Sequence, residues 1–109
     1  MASGNKRKSH DRIVEQIVEA LAQYKARHAK ASVEVKRQNS VSVRIRIIDP
    51  DYQRMDRVDR DTHAWEFLDD LPDETKADIT MLLLLTPKEA KTSLANAEFE
   101  DPIPSRLST

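Results

Sequence analysis

The sequence predicts an α+β domain of element order αββα(α)βα, with helices packed on a three-stranded mixed sheet. Three observations carry that reading. Apolar residues recur with a helical period near the start, the period then drops to two, and a run apolar at nearly every position, "ITMLLLLT", leads into a strong helix-start signal.

In "HDRIVEQIVEALAQYKARH" the residues Ile13, Ile17 and Leu21 recur at i+4 with Val14 and Val18 beside them, and Ser9 stands where a cap belongs. One face of this helix must be buried. In "SVEVKRQNSVSVRIRIID" the positions Val33, Val35, Val41, Val43, Ile45 and Ile47 alternate with Glu34, Lys36, Ser42, Arg44 and Arg46. Two half-buried strands joined at Asn39 and Ser40 give that pattern, and Pro50 ends the second. A second helix is expected over about residues 57–71, with Val58, Ala64, Trp65, Leu68 and Leu71 on one broad side and Phe67 at its margin. "PDETKAD" forms a short helical turn, and the apolar run after it reads as a strand covered on both faces. Thr86, Pro87 and Glu89 then supply a cap, a first helical residue and a capping-box acid for a last helix reaching about Ala97. Residues 1–8 read as a disordered basic arm, 9–97 as the single domain and 98–109 as an extended tail.

A chain of 109 residues suits one domain burying roughly two thirds of its unfolded surface. It contains no cysteine, which excludes disulfides, thiolate nucleophiles and self-supplied thiolate ligation of zinc or iron. The start "MASGNKRKSH" lacks an apolar leader core, and "MLLLL" is too short to span a bilayer, so a cytoplasmic protein without membrane contact is expected. The one glycine, Gly4, leaves no phosphate-cradling glycine loop, and no serine sits in a nucleophile context. No enzyme and no small-molecule substrate are expected. Residues 1–48 carry a net charge of +7 and residues 49–109 carry −8, a split that mutual attraction of the two halves explains without invoking a partner.

Certain local residues add a family likeness. Tyr52 stands six positions before Val58, Arg57, Val58 and Arg60 fit an R-V-x-R pattern, and Trp65 and Leu68 follow at matching places. Ile79 and Leu82 match the outer letters of I-H-A-L, and "TPKEA" is similar to the T-P-E-E that follows it. Over roughly residues 13–95 the chain resembles the BolA family, whose fold is similar to the type II KH domain. That resemblance implies partnership with a monothiol glutaredoxin through a shared iron-sulfur cluster held by histidines. Here Asp61 and Thr80 stand where the histidines belong, and the hairpin is too short for the family's histidine or cysteine loop. Oxygen donors suit such an iron centre poorly, so the fold is expected and the cluster is not.

The densest carboxylate stretch, "DPDYQRMDRVDRD", first suggests a hard-cation site. Asp49 and Asp51 are expected to be solvated beside Pro50, while Asp56 and Asp59 suit the N-cap and third position of the second helix. Arg60 and Arg57 would pair with Asp56 and Asp61 along the helix. Asp59, His63, Glu66 and Asp70 fall within about 40° of one another on a helical projection and could hold a metal. A solvated helix face accounts for them more simply, as it does for His10 and His28, so no metal site or cofactor is expected.

Two binding readings remain. If Ile79, Met81, Leu83 and Leu85 face the helices, Leu82 and Leu84 lie on the outer sheet face with Ile48, apolar surface that the terminal segment, a second copy or another protein must cover. The expected partner-binding residues are therefore Leu82, Leu84 and Ile48, with Tyr52, Arg57 and Arg60. The alternative is RNA or DNA held by Lys36, Arg37, Arg44 and Arg46, although Glu34 interrupts that patch and no stacking aromatic or GxxG loop accompanies it.

Overall fold

A computed structural model describes residues 11–101; the expected N-terminal arm, Ser9 and the tail beyond Asp101 lie outside them. Helix α1 spans Arg12–Arg27 and buries Ile17, Leu21 and Tyr24. Just past its end the chain is held by Lys25, whose ammonium donates to the backbone oxygens of Ala29 and Ala31. Val18, expected near the stripe, is half exposed.

Strands β1 (Ser32–Asn39) and β2 (Ser42–Ile48) form the expected antiparallel hairpin. Its turn falls one residue later than expected, at Ser40 and Val41, so Val41 is exposed rather than inward. The Asn39 side chain accepts from the Val41 amide at 3.0 Å and stabilises that turn. After β2 the chain makes a single 3-10 turn, Pro50–Arg54, started by the Asp49 carboxylate, which accepts from the Asp51 amide. Helix α2 runs Arg57–Leu68, shorter than expected, and Asp56 caps it by accepting from the Asp59 amide at 2.8 Å. Its core side is Arg60, Ala64 and Leu68, while Val58 is 72% exposed. A short helix α3, Asp73–Ala77, leads to strand β3, Ile79–Leu85.

The sheet order is β1-β2-β3, with β3 parallel to the central β2. Among the described residues, five helices and this three-stranded mixed sheet make an α+β globule, the predicted class. Val43, Ile45 and Ile47 face α1 and α2 and are fully buried with Ile17, Leu21, Tyr24, Tyr52 and Leu68. Each such aliphatic side chain stabilises the fold by about 1.5–3 kcal/mol.

Helix α4, Pro87–Thr92, starts with the predicted capping box of Thr86 and Glu89. It stops at Ser93, whose hydroxyl caps another helix, α5, Leu94–Glu100, by accepting from the Asn96 amide. Residues 98–100 are thus helical rather than extended, and Phe99 is fully buried. Among the described residues, no helix is long and apolar enough to cross a membrane.

Candidate functional site

The register of β3 decides what its leucines can do. Val43 pairs with Ile79, but Arg44 pairs with Met81, so one residue is skipped at the start of the strand. From there Leu82 and Leu84 sit opposite Ile45 and Ile47 and pack on the helix-side core. Leu83 and Leu85 sit opposite Arg46 and Ile48 instead. This reverses the expected facing of the leucines. A one-residue slip turns every later side chain over, and strict alternation from Ile79 could not show it. The strand is also at the sheet edge, with most positions half-buried, and not enclosed on both faces.

The outer face is covered from within the chain. Asn96, Phe99 and Glu100 share one side of α5 at i, i+3 and i+4 spacing and lie against the outward arginines. Arg44 pairs with Glu98 at 2.9 Å, and Arg46 pairs with Glu34 and Glu100 and donates to Asn96 at 2.8 Å. The Phe99 ring lies 4.9 Å from the Lys36 ammonium and 4.7 Å from the Arg46 guanidinium. Arg46 and, more weakly, Lys36 hold the Glu100 carboxyl below its ordinary range. Arg37, opposite Val43, leaves this group and pairs with Asp11 and Asp78, each at 3.4 Å. The basic set expected for nucleic acid is therefore split between two places, and its outer members are matched by carboxylates.

A cleft of about 210 Å³ stays open between α2 and β3, lined by Arg57, Arg60, Asp61, Leu82, Leu83, Leu84, Leu85 and Glu89. Four of the six expected partner residues, Arg57, Arg60, Leu82 and Leu84, are brought together there. The other two are elsewhere: Tyr52 is fully buried and Ile48 pairs with Leu85.

Arg60 builds the floor of the cleft. It is only 8% exposed, and it does not pair with Asp56 along the helix as expected. Its guanidinium donates to Glu89 at 2.7 and 3.3 Å, to the Leu84 carbonyl at 3.1 Å and to the Met55 carbonyl at 3.2 Å, and lies over the Tyr52 ring. This two-toothed contact, with the Thr86 amide, lowers the Glu89 carboxyl to about 2. Arg57, one turn earlier, is exposed at the rim beside Asp61. Because the Leu85 carbonyl faces β2 and accepts from the Asp49 amide, the Leu84 carbonyl faces the other edge of β3, where Arg60 reaches it.

A second constellation lies where α1, the Pro50 turn and α2 meet. Asp49, expected to be solvated, is buried and accepts a 2.6 Å hydrogen bond from the Tyr24 hydroxyl. Burial first, then this contact, raises Tyr24 well above the ordinary tyrosine pKa. The buried Tyr52 hydroxyl has no hydrogen-bond partner among the described residues, and its pKa is pushed up to about 12, chiefly by burial. His28 is also mostly enclosed. Its Nδ1 lies 3.1 Å from Asp51 and 3.3 Å from Asp49, and its Nε2 lies 2.9 Å from Nε2 of His63. Of the expected stripe, only His63 and Glu66 come together, at 3.2 Å; Asp59 belongs to the helix start and Asp70 is exposed. Nothing periodic links His28 to His63, because the hairpin lies between them in sequence, and so helical projection alone missed the pair.

Compared with protein-family models, curated proteins and solved structures, the chain matches none.

Proposed function

We propose that the chain is a non-catalytic binding domain of BolA-like, type II KH-like architecture, and that its partner is a protein segment taken up along β3. The observation that carries this reading is the edge of β3, to which no strand among the described residues pairs, lying beside an open cleft. An extended segment added to that edge would gain main-chain hydrogen bonds, and the cleft would select its side chains. Leu82 to Leu85 supply an apolar wall, and Arg57 at the rim favours an acidic residue in the partner.

The family's iron-sulfur cluster does not enter this reading. Asp61 offers an exposed carboxylate, and the Thr80 hydroxyl is already hydrogen-bonded to Ser42. Neither is a soft ligand for such a cluster. Nucleic acid is the less supported partner, because Lys36, Arg44 and Arg46 would first have to leave Glu34, Glu98 and Glu100.

The test is recovery of partners from native cell extract by the full chain, beside Arg57→Glu and, as a control away from the cleft, Lys30→Glu. A protein retained by the wild type and the control but lost by Arg57→Glu is expected. Equal recovery by all three, or recovery of nucleic acid alone, would overturn the proposal.

A further inference from the structure

The two histidine rings of the second constellation face each other with both outer nitrogens already oriented by carboxylates. His28 Nδ1 is 3.1 Å from Asp51 and 3.3 Å from Asp49, and His63 Nδ1 is 3.2 Å from Glu66. A carboxylate accepts from an imidazole N–H, so each acid fixes the hydrogen on Nδ1 and leaves a lone pair on Nε2. Those two lone pairs then point at each other across 2.9 Å. They repel unless a cation lies between them.

We propose that His28 and His63 form a two-histidine site for a divalent transition-metal ion, with Asp49, Asp51 and Glu66 as its orienting carboxylates. A metal about 2.0–2.1 Å from each nitrogen spans roughly 2.9 Å at a right angle and roughly 3.3 Å at the tetrahedral angle, so the observed separation is within a few tenths of an ångström of both. The rings meet edge-on at 79° with centroids 5.0 Å apart. A carboxylate behind each imidazole is the arrangement that holds metal-binding histidines and raises their basicity. The acids themselves are poor first ligands here. Asp49 already accepts from the Tyr24 hydroxyl and the Asp51 amide, although a histidine nitrogen, Asp49 and Asp51 do cluster within 4.8 Å.

The site is walled but reachable. Tyr24 stacks on His28 at 4.4 Å and Phe67 meets His63 edge-on at 5.5 Å, while the histidine side chains keep 14% and 26% exposure. Imidazole donors favour zinc, copper or nickel over magnesium or calcium, and water would complete the coordination. None of these residues lines the β3 cleft, so the site is independent of the proposed partner surface.

The tag-free full chain is titrated with zinc by calorimetry, beside His28→Gln, His63→Gln and His10→Gln, with magnesium as a comparison ion. Long-range nitrogen NMR of the wild type follows the imidazole nitrogens. One zinc per chain is expected, with affinity reduced at least tenfold in both His28→Gln and His63→Gln, unchanged in His10→Gln, and with Nε2 of His28 and His63 shifted by zinc. The NMR arm decides the matter if either variant fails to fold. No saturable one-to-one binding, a wild-type zinc affinity retained in folded His28→Gln or His63→Gln, or zinc binding that leaves both Nε2 signals in place would overturn the proposal and leave the pair sharing a proton only.

Discussion

Arg60 shows how much one side chain can hold when it turns inward. It joins α2 to the end of β3 and to the capping box of α4 through Glu89 and the Leu84 carbonyl. Its sequence position suggested a surface pair with Asp56, because an i, i+4 acid is visible in sequence and an acid 29 residues away is not. Arg60→Ala should lower stability by about 2 kcal/mol, measured by urea unfolding, since hydrogen bonds to charged groups are each worth about 1.5–3 kcal/mol and Glu89 is partly solvated. Glu89 also gives the fold a pH dependence. Its folded pKa of about 2 lies below the ordinary 4.5, so the unfolded chain binds the proton first as pH falls. The stability it contributes is fully present above about pH 4.5 and is lost toward pH 2, and Glu89→Gln should flatten urea midpoints over that window. The two buried tyrosines differ in the same terms. Tyr24→Phe strips a hydrogen bond from buried Asp49 and should cost about 1–3 kcal/mol, whereas Tyr52→Phe removes a hydroxyl without a partner and should be near neutral.

At the scale of elements, local signals were legible wherever a cap or a period sufficed. The core stripe of α1, the hairpin, the Asp56 cap and the Thr86 capping box all follow from spacing within a few residues. The leucines of β3 were not legible, because one skipped residue after Ile79 changes which of them face the helices. The continuation of α5 past Ala97 was hidden for another reason: of its two large apolar residues Leu94 is exposed and Phe99 alone is buried, so the helix extends because Phe99 finds the outer sheet face. Phe99→Ala should therefore destabilise the fold by about 3–5 kcal/mol in urea unfolding. The acids of α5 also mask the outward arginines. Replacing Glu98 and Glu100 together by Gln in the full chain should produce a salt-sensitive affinity for short single-stranded RNA that the wild type lacks, read by fluorescence anisotropy at two salt concentrations. Appreciable wild-type binding would mean that the masking is incomplete.

Across the whole molecule, the +7 and −8 halves meet. Arg12 with Glu74, Lys36 with Glu100, Arg37 with Asp78 and Arg44 with Glu98 all join the first half to the second. The charge split reads as internal complementarity, as the sequence suggested, although no count of charges could say which surface would remain free. Among the described residues the topology leaves the edge of β3 and the cleft between it and α2 open, with the outer sheet face covered by α5. The position of that surface depends on the parallel β2–β3 pairing, a contact between segments separated by the whole of α2 and α3. Amide hydrogen exchange of the full chain, free and bound to the protein recovered from native extract, tests the proposed use of this surface most directly. The account predicts that binding slows exchange at Leu82 and Leu84, whose amides face the free edge, and at the start of α2 around Arg57. Protection confined to β1 and α5, with the β3 edge exchanging as in the free chain, would contradict it.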